Sequence, residues 1–216
     1  MWKKDSLPQE YIQAINLARN PHEQVYDFRK ETLISLPADK PSDHKVSARK
    51  RKDVEEDYVF GRLWSGYTPV ADLPIKGWKF QEDPNDLGQS MEWFAADYND
   101  ANWSQIEIAD WWEAFDHLYT GIAWYRYVWT VPQAATGHDK LLLAFGAVDE
   151  DCWIYIDGRL VHSFLHGGSG WQTPFEVDIT KYVLPGRKHT IAIRVLDTSG
   201  PGGIWKPVKL VAPKKK

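Results

Sequence analysis

One cysteine, Cys152, stands alone in 216 residues, so no internal disulfide can staple this fold. It lies beside Trp153 at the start of an apolar run, where a buried and inert thiol is expected. No run of roughly 18 apolar residues occurs, which argues against a membrane-spanning helix. The first residues, "MWKKDSLPQEY", lack the apolar stretch of a secretory signal. Positive charge is not in excess either, since the formal net charge is -4, and non-specific nucleic-acid binding needs a basic field. What remains is a soluble, globular chain for which neither nucleic acid nor a membrane is an expected partner. Its length fits one substantial domain with an extension.

Aromatic residues are plentiful: 12 Trp and 10 Tyr, several-fold above ordinary usage. Such residues gather in protein interfaces, in base-stacking surfaces and in pockets. Sugars also lie flat on aromatic rings while their hydroxyls seek hydrogen bonds around the rim. With nucleic acid set aside by charge, carbohydrate rises as the expected ligand.

Along the chain, "SLPQEYIQAINLARNP" predicts a helix from Ser6: Ser6 and Gln9 have capping-box spacing, and Asn20-Pro21 stops it. The following fifty residues show little regular pattern and read as linker, with the basic run Lys45 to Lys52 balanced by the acidic residues after it. From about Lys76 the texture changes to short strands separated by turn signals. Tyr125, Tyr127, Trp129 and Val131 alternate, as do Leu141, Leu143 and Phe145. "CWIYI" is apolar on both faces, as a central strand should be, and Asp157-Gly158 supplies a two-residue hairpin turn. "FEVDI" and "HTIAIRVL" alternate again around a "PGR" turn, and "WKPVKLV" follows. Helices between the strands are missing, apart from a helical spacing in "ADWWEAFDHL". The expected fold is all-β, an antiparallel β-sandwich or jelly roll over 76–216, preceded by a mostly irregular extension over 1–75 containing one helix.

Several motifs point to chemistry, and most have a plainer explanation. Glu107, Asp110, Glu113 and Asp116 are spaced by three, which would line them along one helix face, and a solvated acidic face is the expected reading. "DPNDLG" at Asp83 to Gly88 begins like an EF-hand, but Phe94 stands where the bidentate Glu belongs. His162 and His166 are about 13 Å apart if both lie on one strand, too far to share a zinc ion. No Gly-x-Ser-x-Gly elbow occurs, so nucleophilic catalysis has no support. The glycine-rich "HGGSGW" runs into a strand rather than a helix, unlike a phosphate cradle.

The ordered blocks "GIAWYRYVWTVP", "LLLAFGAVDEDCWIYIDGRLV", "GWQTPFEVDITKYVLPG" and "HTIAIRVLDTSGPGGIWKPVKLV" resemble the sugar-binding jelly-roll domain of glycoside hydrolase family 2, the β-galactosidase and β-glucuronidase group. The resemblance covers roughly Gly77 to Val211. It implies a galactose-binding-like sandwich acting as a non-catalytic carbohydrate-binding module. In that family the module precedes an immunoglobulin-like domain and a catalytic barrel, and neither has a counterpart here. The implied partners are therefore an oligo- or polysaccharide and a catalytic domain of a parent enzyme, and the implied location is extracellular or periplasmic. The alternative is an accessory domain that packs against the enzyme or a second copy without binding sugar.

The resemblance also suggests where the ligands sit. Galactose-binding-like sandwiches often hold a structural Ca²⁺ in oxygen-rich loops, which makes Asp83 and Asp86, or Asp149 and Asp151, candidate ligands; an Asx-type turn explains the same residues. No other cofactor is expected. Loops at one end of such a sandwich gather above the sheets, and "ADWWEAFDHLYTG", "HGGSGW" and "DTSGPGGIW" are the aromatic ones. If they converge, Trp111 or Trp112, Trp171 and Trp205 stack on a sugar, while His166 and Asp197 bond its hydroxyls. Trp205 serves equally well as packing of the loop onto the sheet, and Trp124, Trp129 and Trp153 are expected in strands as core.

Overall fold

The computed structural model describes residues 64–214 and two short strands before them, Val25–Asp27 (β1) and Thr32–Ile34 (β2). The chain divides into two compact units, Met1–Ser47 and Ala48–Lys216. In the first unit β1 and β2 pair antiparallel, with Val25 opposite Ile34. The helix expected from Ser6 lies outside the described residues.

The described residues of the second unit hold ten strands. They are β3 (Tyr67–Asp72), β4 (Trp78–Glu82), β5 (Ser104–Ile106), β6 (Ile122–Thr130), β7 (Leu142–Phe145), β8 (Asp151–Ile156), β9 (Arg159–Phe164), β10 (Phe175–Asp178), β11 (Lys188–Leu196) and β12 (Val208–Pro213). They form a four-stranded sheet ordered β10-β7-β12-β3 and a six-stranded sheet ordered β5-β4-β6-β11-β8-β9, antiparallel throughout. This is the all-β sandwich that the alternation implied. β3 lies upstream of the boundary expected near residue 76, and it closes one edge of the smaller sheet by pairing with β12.

The period-2 pattern places the core. On β6, β8 and β11 the residues Tyr125, Trp129, Cys152, Ile154, Ile156, Ile191, Ile193 and Val195 face inward. They meet Leu143, Phe145, Val177, Val208 and Leu210 of the smaller sheet in one continuous cluster. Cys152 is fully buried there, and burial pushes its thiol pKa far up, so it remains an unreactive thiol. The Asp157-Gly158 turn forms as predicted: both residues have positive φ, 48° and 78°, and Ile156 pairs with Arg159 across it.

Several outward residues of the same strands are covered as well, which the sequence did not announce. Trp124 and Arg126 on β6, and Tyr155 on β8, lie beneath the segment 83–103. Arg126, fully buried, donates to Asp100 at 2.9 Å, to the Trp93 carbonyl at 2.5 Å and to the Tyr98 carbonyl at 3.4 Å. The rings of Tyr98 and Trp103 flank its guanidinium at 5.4 and 6.0 Å. A buried guanidinium is tolerable only when its donors are met in this way. Arg194 on β11 lies between Asp86 at 2.9 Å and the Trp153 ring at 4.2 Å, with its buried Nε left without a partner. Among the described residues, no helix is long and apolar enough to cross a membrane.

Candidate functional site

The three loops expected to gather at one end do meet, and a fourth, 146–150, joins them. Backbone bonds stitch them together: Trp112 N–H to Gly202 O at 3.0 Å, Ala109 N–H to Ile204 O at 2.8 Å, and Asp197 N–H to Gly121 O at 3.0 Å. Asp149 and Gly203 exchange both their backbone bonds, at 2.9 and 3.3 Å. The glycines of "GPGGIW" are required by this closeness. A Cβ on Gly202 would stand 2.2 Å from Trp112 Cζ2 and 2.9 Å from Asp197 Cβ, and Gly203 adopts φ 116°, which side chains rarely allow.

On the outside of this junction lies a stack of three indoles. Trp111 and Trp205 are nearly parallel at 4.3 Å, and Trp171 continues the row at 5.6 Å from Trp205. Trp205 Nε1 donates to the Trp171 carbonyl at 2.5 Å, and Lys206 Nζ sits 4.3 Å from the Trp205 ring centre. Trp171 is the most open of the three, with 37% of its surface exposed, and Trp205 lies between the other two rings, packing the loops together. Trp112 does not belong to that surface. It is fully buried, donates from Nε1 to the Tyr119 carbonyl at 2.9 Å, and is core rather than a stacking platform. The helix face expected through Glu107, Asp110, Glu113 and Asp116 is a single 3-10 turn, Trp112–Phe115, ended by Asp116 at φ 67°. That shorter turn sends Trp112 inward and leaves Trp111 at the surface.

The same loops bring together a group of carboxylates. Asp149, Glu150 and Asp197 are buried, and one oxygen of each lies within 4.8 Å of the others. Glu150 Oε2 accepts the Thr198 N–H at 3.2 Å and also its hydroxyl, and Asp197 Oδ1 accepts the Ser199 N–H at 3.0 Å. Asp149 Oδ1 and Asp197 Oδ2 have no hydrogen-bond partner. Glu113 faces the same group and accepts the Gly202 N–H on both oxygens at 3.2 Å. Burial first, then the charges of Glu150 and Glu113, pushes the Asp149 carboxyl up to about 8. Asp197 is raised well above the usual carboxylate range by burial and by Asp149 and Glu150, and burial raises Glu113 and Glu150 too.

The glycine loop closes over this group. Asp151 Oδ1 accepts the N–H groups of His166 at 2.7 Å and Gly167 at 2.8 Å, which anchors the loop to β8. A Cβ on Gly168 would lie 3.4 Å from Glu150 Oε1, and one on Gly170 would lie 3.2 Å from the Glu150 carbonyl, so small residues let the loop settle there. His166 is exposed, its ring against Phe164 at 4.3 Å. It shares the loop with Trp171.

Asp83 and Asp86 lie elsewhere, and the protein's own donors engage them. Asp83 accepts the N–H groups of Leu87 at 2.7 Å and Gly88 at 2.8 Å, together with Trp124 Nε1 at 3.0 Å. Asp86 pairs with Arg194. The oxygen-rich turn accounts for both without an ion. Among the described residues, the group with ligand atoms arranged to hold a metal is Asp149, Glu150 and Asp197. Asp149 and Asp197 were named from the sequence for separate roles; Glu150, and Glu113 as a buried rather than solvated acid, were not. The signal for Glu150 was available as three consecutive acids, Asp149 to Asp151, opening an otherwise apolar strand.

Residues 106–206 match the family described as glycosyl hydrolases family 2, sugar binding domain. Over that segment the sandwich resembles the family 2 sugar binding domain. A beta-glucuronidase of Paenibacillus borealis is 28% identical over 130 residues, which are 55% of this chain and 20% of that protein. Among solved structures, a Lactobacillus rhamnosus beta-glucuronidase superposes with a TM-score of 0.56 at 20% identity over 68% of this chain and 29% of its own. A Ruminococcus gnavus beta-glucuronidase in complex with D-glucuronic acid gives 0.56 at 18% identity over 67% and 29%. At these identities the solved structures speak to the fold. The chain spans about a fifth of the Paenibacillus protein, at 20%, and under a third of the two solved enzymes. All four loops of the site fall within or directly beside the matched family 2 segment.

Proposed function

We propose that this family 2 domain is a non-catalytic carbohydrate-binding module of a glycoside hydrolase, with its binding surface at the loop end of the sandwich. The observation that carries the reading is the Trp111–Trp205–Trp171 stack standing beside buried carboxylates within the sugar binding domain match. A pyranose ring laid on Trp171 would present C–H groups to the indole and turn hydroxyls toward His166 and the carboxylate group. Asp197 lends one oxygen to the Ser199 N–H and keeps the other buried and without a partner among the same loops. A single module of this kind binds weakly, because a small sugar buries little area and its hydroxyls must leave water.

A second reading has an observation of its own. Leu118 and Leu165, 88% and 51% exposed, sit on two of the same loops as Trp171, and apolar side chains gathered at one end suit packing against another domain of a parent enzyme or a second copy. A glycan panel separates the two. Retention of the protein on a defined glycan, lost in Trp171→Ala while the fold persists, supports the carbohydrate reading. A folded protein retained by no glycan turns the assignment to the packing role.

A further inference from the structure

We propose that His189 is a pH-sensitive clasp: its neutral ring holds the turn before β11 against the sandwich, and a second proton on the ring releases that turn. The device stands at the end of the sandwich opposite the tryptophan stack and does not depend on whether that stack binds sugar. β8 and β11 pair with Leu196 opposite Asp151 at the loop end and Ile191 opposite Ile156 at the other, where His189 lies near the start of β11. The residue is 9% exposed, and both ring nitrogens are engaged. Nε2 accepts the Leu184 N–H at 3.0 Å, and Nδ1 lies 2.6 Å from Asp157 Oδ2. A backbone N–H only donates, so Nε2 is the bare nitrogen and the ring proton sits on Nδ1, which donates to Asp157. Asp157 is itself fixed: its Oδ1 accepts the Thr190 N–H at 2.8 Å, and its own N–H reaches the Thr190 carbonyl at 2.9 Å. One imidazole thus joins the Asp157-Gly158 hairpin turn, the start of β11 and Leu184.

A second proton acts on the two contacts in opposite ways, because an imidazolium donates from both nitrogens and accepts at neither. Toward Asp157 the bond survives and becomes charge-assisted. Toward Leu184 two N–H groups face each other, and that contact breaks. The neighbouring bonds set which part moves. The Tyr182 N–H is held by the Ile179 carbonyl at 2.9 Å, the Gly186 N–H by the Val131 carbonyl at 2.8 Å, and the Val131 N–H donates to the Arg187 carbonyl at 3.0 Å. The span left to lift is Val183 to Pro185, and lifting it adds the buried Val183 to the apolar surface that Leu184, 63% exposed, already presents. Among the described residues, the charged group in contact with the ring is Asp157, whose exposed side chain gives solvent protons access to the pair. Arg187 and Lys188 precede His189 in the chain and Lys181 lies on the turn itself, all three exposed, while β6 sets the uncharged Trp129 opposite. The three cations oppose a charged ring, and Asp157, in contact with it, favours one.

The test follows the full chain by NMR at about pH 8 and about pH 5, the range over which histidines change charge. The ¹⁵N shifts of the ring report its protons, and amide exchange reports Leu184. At about pH 8 the ring should be neutral with its proton on Nδ1. At about pH 5 it should carry both protons, and the Leu184 amide should lose about tenfold or more of its protection while the Gly186 and Ile193 amides keep theirs. His189→Gln offers an oxygen to the Leu184 N–H and does not titrate, so protection there should stay level between the two pH values once intrinsic exchange is divided out. A proton on Nε2 at the higher pH, a ring still neutral at the lower one, or a doubly protonated ring with Leu184 still protected each overturns the proposal. So does an equal loss of protection in His189→Gln. Should that variant fail to fold, the ring shifts and the exchange of the unaltered protein decide alone.

Discussion

The outer face of the large sheet and the loop end of the sandwich both bury charge among aromatic rings, yet they treat it in opposite ways. On the outer face, Arg126 has Asp100, two carbonyls and two rings around it, and Arg194 has Asp86 and Trp153. At the loop end, Glu113, Asp149, Glu150 and Asp197 repel one another, and two oxygens have no donor. A region whose buried cations are each paired with a carboxylate is holding the fold together, even though Arg194 Nε there also lacks a partner. A region that keeps unmet acceptors in an enclosed space costs stability, and such costs persist where a ligand collects them.

The largest effect that would break this comparison is at Arg126. Arg126→Ala removes the cation that pins the segment 83–103 and leaves Asp100 and the carbonyls without their donor; a loss of about 3–5 kcal/mol in urea unfolding is expected. Next comes Gly202→Ala, which drives a methyl into the Trp112 ring and should cost about 1–3 kcal/mol, read in the same unfolding experiment. A smaller change should follow pH in chelator. Asp149 stands at about 8 in the folded protein against 3.8 for an ordinary aspartate, so the folded state holds its proton more tightly than the unfolded chain. That contribution is fully present below about pH 4 and fades as pH rises to about 8, and the raised Asp197, Glu113 and Glu150 act in the same direction. The protein should therefore lose melting temperature over this window, read in a pH series of thermal melts. The smallest effect on stability belongs to Trp171→Ala: its exposed ring should shift melting by no more than about 2 °C while removing glycan retention.

The sandwich was legible in the sequence because alternation writes the inner face directly. Val177 and Ile191 read as inward-facing and are core, with the half-buried Phe175 packed against it. The Asp-Gly turn was legible for the same reason, since few dipeptides tolerate two positive φ angles. The lid over the outer face was not, because its segment 83–103 has no periodicity: it is ordered by contacts to Arg126 and Trp124 that lie far away in sequence. The site was half legible. The loops that meet were recognisable from glycine and tryptophan, and Asp197 was placed by the resemblance to family 2. The choice between Trp111 and Trp112 was not legible: Trp112 opens a 3-10 turn rather than a helix and is buried, while Trp111, at its N-cap, stays at the surface. Glu113 and Glu150 were hidden because charge runs usually face water, and only the folded loops bring them to Asp149 and Asp197.

The most direct test of the contrast pairs two substitutions of one shape, Asp100→Asn and Asp149→Asn, each compared with the parent protein by urea unfolding at about pH 8 in chelator. Asp100 neutralises a buried guanidinium and Asp149 adds to a buried excess of negative charge. The account predicts opposite signs: Asp100→Asn lowers stability, and Asp149→Asn raises it by about 1 kcal/mol or more, about 2–4 °C in melting temperature. Destabilisation by both would contradict it, for the loop-end carboxylates would then be structural charges like those on the outer face.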